Sequence, residues 1–317
     1  MRKYILTVTL NPAIDKTVKV PNFKTGKDFR EQNLSLSAGG KGINTSQVLK
    51  HLGVPTLATG FLGGGGGEYI KNQLNKEKIK YDFCAIGNNT RTSLTILDPR
   101  LNTITRLLER GPKITKKELN AFRRKFSSLL NNCRYVIISG RNAVGVTDSF
   151  YGELIAEAKK KNILTVFDTS GKPYELGLIQ RPFMVKPNLK EAEQITGLKI
   201  LTISEVKQAA FYFYKRGIQI SAITLGSLGA IVFNGQEMLL AIPPKLKRKN
   251  PVGCGDSFIA GFIAWHWRKR SFRECVKMAT ICGAANALSL NPGFIKPGTI
   301  QKVSRQVKIK TLKYNSY

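Results

Sequence analysis

Histidine, cysteine and acidic residues are scarce in this sequence, and each scarcity closes off a class of function. Two histidines, His51 and His266, cannot build a histidine-rich metal site and disfavour Ser-His-Asp or Cys-His catalysis, so both are expected to be structural. The five cysteines, Cys84, Cys133, Cys254, Cys275 and Cys282, are odd in number and include no Cys-x-x-Cys pair. Neither a disulfide framework nor a zinc site is written there, and a reducing cytoplasm is the expected setting. No apolar run reaches the roughly 18 residues of a membrane-spanning helix. The nearest, 258–267, contains Gly261 and His266. The uncharged stretch 4–13 follows Arg2-Lys3, but Asn11-Pro12 and Asp15 end it too soon for a signal peptide. A soluble, cytoplasmic protein with no membrane partner is expected.

Acid is short as well: 20 Asp and Glu against 51 Lys and Arg leave a formal net charge of +31. Such an excess suits binding to a phosphate backbone. Its distribution does not, because the basic runs 123–125, 159–161, 247–249 and 268–270 are short and scattered, and no single basic arm stands out. A solvated basic surface is expected, with nucleic acid disfavoured as a partner. With 42% apolar residues, a chain of 317 can bury a sizeable core.

β-branched and aromatic runs alternate with helix-period stretches, the pattern of parallel strands joined by crossover helices. Strands are predicted at 5–10, 56–62, 135–139, 164–168, 184–186 and 222–225. Helices are predicted at 43–52, 116–130, 148–161, 204–216, 258–267 and 275–288. The fold class is therefore α/β, a doubly wound, mostly parallel sheet flanked by helices. Two stretches break the alternation: 15–21, with Val18 and Val20 in period 2, and 90–97, with Leu94 and Ile96 in the same period. They read as antiparallel strands that pair with each other in a small β-sheet lid. The glycine run 63–67 reads as a flexible turn, and 302–317 as an exposed basic end.

Ligands of open parallel sheets gather outside the carboxyl ends of the strands. Four predicted strand ends are polar: Ser139-Gly140-Arg141-Asn142, Asp168-Thr169-Ser170-Gly171, Lys186-Pro187-Asn188 and Thr224-Leu225-Gly226-Ser227. Together they suggest a ligand crevice. The strongest local signal is Asn250-Pro251-Val252-Gly253-Cys254-Gly255-Asp256-Ser257, which runs straight into an apolar helix. Glycines let backbone N–H groups turn toward an anion, and the helix N-terminus adds its positive end, an arrangement for phosphate. Taken alone, Asp256 reads more readily as a helix cap or helix-dipole partner. Walker A and Gly-x-Gly-x-x-Gly loops are both missing. A second glycine-rich piece, Ala38-Gly39-Gly40-Lys41-Gly42-Ile43-Asn44, opens the first helix, either for close approach of a ligand or as a loop with one solvated lysine.

In chain order, these pieces resemble the ribokinase-like sugar kinases, and within them the phosphofructokinase B group that includes 1-phosphofructokinase and tagatose-6-phosphate kinase. The resemblance covers nearly the whole chain. It rests on Thr9-Leu10-Asn11-Pro12-Ala13-Ile14-Asp15, Gly39-Gly40-Lys41-Gly42-Ile43-Asn44, Gly60-Phe61-Leu62-Gly63-Gly64 and Thr90-Arg91-Thr92. It continues through Lys186-Pro187-Asn188-Leu189-Lys190-Glu191, Leu225-Gly226-Ser227-Leu228-Gly229-Ala230, the Gly253-Cys254-Gly255-Asp256 turn, and Gly283-Ala284-Ala285-Asn286-Ala287.

The resemblance implies a single ribokinase-like domain over 1–317, with lid segments at about 12–37 and 88–110. It implies ATP-dependent phosphorylation of a ketohexose phosphate: fructose 1-phosphate to fructose 1,6-bisphosphate first, with tagatose 6-phosphate or fructose 6-phosphate as alternatives. A kinase of an unphosphorylated sugar, and an idle basic nucleic-acid-binding protein, are the more distant readings. In this scheme Asp256 is the general base, and the N–H groups of Gly253, Cys254, Gly255 and Asp256 stabilise the transferring phosphoryl group. Helix-N-terminal Cys254 is also expected to favour its thiolate. Asp15, Gly39, Gly40, Asn44 and Ser139 bind the sugar, and Lys41 and Arg91 face its existing phosphate. ATP is held by Lys186, Asn188, Thr224, Gly226, Gly229 and Asn286, while Glu191 orients Mg²⁺ through water. A homodimer through the lid is implied too. Two features depart from the group's pattern. Members usually carry Ser-Gly-Ser-Leu-Pro where this chain reads Ser139-Gly140-Arg141-Asn142-Ala143, which puts a large cation beside the acceptor. Segments 107–112 and 250–253 lean toward tagatose-6-phosphate kinases.

Overall fold

The strand Tyr4–Thr9 buries both of its faces, as a central strand of a covered parallel sheet must. In the computed structural model, which describes residues 3–30 and 34–314, it lies parallel to Cys133–Ser139 on one side and Thr56–Leu62 on the other. Beyond Cys133–Ser139 come Leu164–Asp168, Met184–Val185 and Ile220–Thr224, all parallel. The sheet then turns antiparallel through Ala230–Phe233, Met238–Ile242 and Lys308–Thr311. On the other side, Thr56–Leu62 carries the short strands Lys80–Tyr81 and Cys84–Ala85. Strand order therefore reverses between Tyr4–Thr9 and Cys133–Ser139, and a crevice opens at such a switch point.

Alternation along the strands divides the core into two layers. Ile5, Tyr135, Ile137, Val166 and Met184 pack with the helices Lys41–His51, Cys254–Trp267 and Phe272–Asn286. Leu6, Val8, Val136, Ile138 and Phe167 pack with Lys116–Leu129, Phe150–Lys160 and Lys172–Leu178. Leu189–Thr196 and Ile203–Lys215 cover the antiparallel end. Four of the scarce acids, Glu118, Glu191, Glu205 and Glu274, complete capping boxes with Thr115, Asn188, Thr202 and Ser271, so acid is placed where helix N-termini need it.

A separate four-stranded sheet runs in the order Leu34–Gly39, Ala13–Lys19, Arg91–Asp98, Thr103–Leu108. The two irregular stretches do pair with each other, but in parallel. Each enters the lid from the carboxyl end of a parallel main-sheet strand, so both run the same way. Their antiparallel partners are Leu34–Gly39 and Thr103–Leu108, which carried no clear sequence signal. Residues 31–33 of the first lid segment lie outside the described residues.

Two other expectations are corrected. The glycine run at 63–67 opens a helix, Gly64–Lys76, instead of forming a flexible turn. Glycine is needed there for close packing: a Cβ on Gly63 would stand 2.1 Å from Asn88 O, and one on Gly66 2.7 Å from Thr90 O. The basic end is partly ordered, because Pro297–Ser304 is helical and Lys308–Thr311 pairs with Met238–Ile242 as an edge strand whose lysines blunt further pairing. Residues 315–317 lie outside the described residues.

Candidate active site

The helix Cys254–Trp267 starts from Gly253, whose φ of 84° lies in the left-handed region that glycine tolerates best. No side chain caps this start, and among the described residues the N–H groups of Gly255 and Asp256 have no acceptor. A helix N-terminus with open N–H groups is an anion site. Gly255 also gives room to a cation, since a Cβ there would lie 3.0 Å from Lys186 Nζ.

Asp256 is 5% exposed, and its carboxylate accepts a 2.8 Å hydrogen bond from Asn44 Nδ2 on the helix Lys41–His51. Burial pushes its pKa up to about 6 against the pull of Lys41, and Asp168 adds to the rise. A carboxylate in that range can take a proton near neutral pH.

Below it sits a charge cluster around the buried Asp168 that closes two strand ends. Lys41 Nζ lies 3.1 Å from Asp168 Oδ2, and Lys186 Nζ lies 3.5 Å from Asp168 Oδ1. Burial opposes the charge on Asp168, yet Lys186 and Lys41 hold its carboxyl below the usual range. Burial likewise works against Lys41, but Asp168, Asp256 and Glu191 carry its pKa upward.

On the lid side, Asp15 in Ala13–Lys19 lies against Gly39, where a Cβ would fall 2.2 Å from the Asp15 carboxyl carbon. Only glycine leaves that carboxylate its place. Burial raises its pKa to about 6, Arg106 and Arg91 pull it down, and Asp256 pushes it up. Arg91 is half-buried and mostly engaged: Nε and Nη2 donate to Asn11 O at 3.3 and 3.1 Å, and Nη1 donates to Ser93 Oγ and Glu109 O at 3.2 and 3.0 Å. Ser139 is fully buried, and its hydroxyl has no partner among the described residues.

The ensemble is a proton acceptor beside an open N–H cradle, with a second, half-buried carboxylate, Asp15, on the lid side. Comparison with known proteins gives the family. The pfkB family carbohydrate kinase pattern matches residues 8–297. The chain belongs to the pfkB family of carbohydrate kinases. A tagatose-6-phosphate kinase of Staphylococcus epidermidis is 33% identical over 308 residues, 96% of this chain and 99% of that one. A Thermotoga maritima protein described as a possible 1-phosphofructokinase is 27% identical, with a TM-score of 0.89 over 98% of this chain and all of the other. Escherichia coli phosphofructokinase-2, at 24% identity and a TM-score of 0.89 over 96% of this chain and 98% of that one, shares the fold.

In this pfkB-family kinase the residues expected to hold the nucleotide lie in several local turns. Asn188 and Thr224 form an isolated parallel bridge, and Thr224 N donates to Pro187 O. Gly226 opens the turn Gly226–Leu228 with open space around it, whereas Gly229 lies against Ala241 O, where a Cβ would stand at 1.8 Å. Asn188 and Glu191 cap each other, Glu191 through Oε2. Asn286, 1% exposed, donates to Val252 O and Cys254 Sγ and accepts from Gly293 N, so its amide locks the glycine turn.

The thiolate expectation for Cys254 is overturned: burial raises the thiol pKa to about 11, which the hydrogen bond from Asn286 only partly offsets. Sequence reasoning set Asp168 among the polar strand ends of the crevice but gave it no role, and it left Arg106 out. Asp168, a carboxylate ending the buried strand Leu164–Asp168, was readable in principle. Arg106 was not, because its place follows from lid pairing: Arg106 stands opposite Thr95, and Thr95 beside Thr17, which puts it on the lid face of Asp15. Among the described residues, no helix is long and apolar enough to cross a membrane.

Proposed function

We propose that this chain transfers the γ-phosphoryl group of ATP to the free primary hydroxyl of a ketohexose phosphate, fructose 1-phosphate first, giving a 1,6-bisphosphate and ADP. The observation that carries this is the buried Asp256, tuned to about pH 6 and bonded to Asn44 at the start of a helix with unengaged N–H groups. Asp256 takes the proton of the acceptor hydroxyl as its oxygen attacks phosphorus. The N–H groups of Gly253, Cys254, Gly255 and Asp256 balance charge on the moving phosphoryl group. Asp15, Gly39, Gly40 and Asn44 hold the sugar. Lys186, Thr224, Gly226 and Gly229 cradle the nucleotide, with Asn286 behind the turn.

Mg²⁺ accompanies ATP in this chemistry. No cluster of three His, Cys, Asp or Glu side chains is gathered among the described residues, so a direct protein cage does not fit. A water-mediated role does, since Glu191 engages only Oε2 in its cap and Mg²⁺ keeps several waters.

Tagatose 6-phosphate is the second reading, supported by the Staphylococcus relative and by the segments 107–112 and 250–253. ADP release measured over fructose 1-phosphate, tagatose 6-phosphate, fructose 6-phosphate, fructose and ribose tests both. A ketohexose phosphate should be used at least tenfold better than either neutral sugar, as loss of a charge-assisted hydrogen bond demands. Equal use of ribose or fructose would overturn the proposal.

A homodimer through the lid is part of the same reading. Leu34, Leu36 and Leu107 stand exposed on the sheet face opposite Asp15, in register with Val18, Lys16 and Leu94, and such an apolar face favours a partner. Cytoplasmic residence is proposed from the odd cysteine count with no Cys-x-x-Cys spacing.

A further inference from the structure

The crevice occupies one edge of the main sheet. At the opposite edge, where Tyr4–Thr9, Thr56–Leu62 and Lys80–Tyr81 begin, lies a cavity of about 540 Å³ that the kinase reading does not use. Lys3, Lys50, Lys78 and Lys80 stand around it, all four exposed and none in an ion pair or side-chain hydrogen bond among the described residues. With 51 basic residues against 20 acidic ones, most lysines must lack an acid partner, but these four also share one concavity. No carboxylate lines it. Glu77, next to Lys78 in the chain, is turned aside and accepts at 3.0 Å from Gln47 Nε2. The floor is apolar, built from Val54, Leu57 and Ile79. Its backbone is fixed: Lys3 N donates to Asn132 O at 2.7 Å, Ile5 N to Pro55 O at 3.0 Å and Lys78 N to Asn75 O at 2.9 Å.

Four ammonium groups around a concavity repel one another and focus a positive field into it. Each is a point charge that takes phosphate oxygens from any direction, while the apolar floor offers sugar hydroxyls little to bond. The ligand that suits both is a small phosphate ester with an apolar or aromatic body.

The cavity shares the helix Lys41–His51 with the catalytic crevice. That helix has 11 residues and is about 16 Å long, with Lys50 in its last turn and Lys41 and Asn44 in its first. Asn44 donates to Asp256. Between the two ends, Ser46 Oγ is hydrogen-bonded to Thr7 Oγ1 at 2.7 Å and to Thr56 Oγ1 at 2.9 Å, and Thr56 lines the cavity. Gln47 ties the same helix to Glu77, beside Lys78. A ligand that draws Lys50 and Lys78 together therefore acts on the rigid element that positions the proton acceptor.

We propose that this cavity is a second binding site, for a small phosphate ester with an apolar body, and that its occupancy alters turnover through the helix Lys41–His51. The effect on turnover rests on the kinase reading above; the binding does not.

Phenyl phosphate is the probe, and inorganic phosphate is the control that lacks an apolar body. Brief acetylation of the full chain, followed by mass spectrometry, reads the site without turnover. Phenyl phosphate should protect Lys3, Lys50, Lys78 and Lys80 and leave the exposed Lys116 and Lys117 reactive. Protection should need less phenyl phosphate than inorganic phosphate, since only the ester covers the floor. In K50A/K78A the midpoint read at Lys3 and Lys80 should rise roughly tenfold, a modest loss per lysine because the charged heads are exposed. Melting temperature should match wild type. With fructose 1-phosphate or tagatose 6-phosphate as acceptor, phenyl phosphate should change kcat in the wild type by roughly twofold or more beyond any change in K50A/K78A. Protection spread evenly over exposed lysines, or equal midpoints for the two anions, would reveal only a basic surface and overturn the site. Protection confined to the four lysines, with kcat responding alike in both proteins, would keep the site and overturn its effect on turnover. If protection holds but neither ketohexose phosphate is turned over, the site stands and the acceptor reading falls.

Discussion

The floor of the crevice and its lid rim both set cations beside carboxylates, but they use them differently. At the floor, Lys41 and Lys186 close on one buried carboxylate, Asp168, which is 1% exposed. At the rim, Arg106 is exposed and makes no ion pair among the described residues, and Arg91 is bonded mainly to backbone carbonyls. Paired charges in a low-dielectric floor fix geometry, because a lone charge there would be far more costly than the pair. Unpaired charges on a rim are available to a ligand. The same contrast holds for the apolar surface: the helix Cys254–Trp267 is buried along most of its length, whereas the lid strand Thr103–Leu108 is exposed at all six residues.

The floor should be where substitution is most damaging. Asp256→Asn keeps the shape of the side chain and its place beside Asn44 but cannot take a proton, so kcat should fall roughly 10²- to 10⁴-fold with ATP binding retained. Steady-state kinetics and nucleotide titration on the purified variant check this; near wild-type turnover would remove Asp256 from its role. Next, Asp168→Ala strands Lys186 as a buried ammonium and should cost about 3 kcal/mol or more, read as a melting temperature several degrees lower. A variant as stable as wild type would mean that the floor cluster is not what holds the strand ends together.

A pH profile sharpens the comparison further. Burial raises both Asp256 and Asp15 to about 6, and Asp256 adds to the rise at Asp15, so activity should fall as pH drops through about 6. Both folded pKa values lie above the ordinary carboxylate value, so protonating these two groups favours the fold. Loss of activity should therefore precede loss of folded signal on mild acidification, as parallel kinetics and circular dichroism would reveal. At the lid, Leu107→Glu should weaken self-association in sedimentation while leaving monomer stability within about 0.5 kcal/mol. The smallest effect is expected at Cys254. With its thiol pKa near 11, Cys254→Ser should keep activity within a few-fold, and alkylation at pH 7 should be slow.

The pattern of these expectations follows what could be read from the residues. The parallel half of the sheet was legible because strands buried on both faces leave continuous runs such as Leu164–Asp168, and because the crossover helices repeat at helical spacing. The glycine turn into an apolar helix was legible for the same reason, since local backbone needs are written locally. Thr103–Leu108 was missed because a strand exposed on both faces has no alternation to display. The thiolate at Cys254 was misjudged because a helix N-terminus is a local feature, whereas the burial that protonates the thiol comes from distant elements.

By itself, the sequence determined the α/β class, the order of the crossovers, the position of Asp256 at the head of its helix and the presence of Arg141 at a strand end. Only tertiary structure decided which charges meet. Asp168 and Lys41 are 127 residues apart and bond because the helix Lys41–His51 starts at the sheet edge where the strand Leu164–Asp168 ends. Arg106 reaches the field of Asp15 because a lid strand returns beside another. Arg91 loses its freedom to a carbonyl 80 residues away. Local propensity and periodicity act within a few turns of chain, but electrostatic partnership depends on distance through space, which the packing of the whole sheet sets.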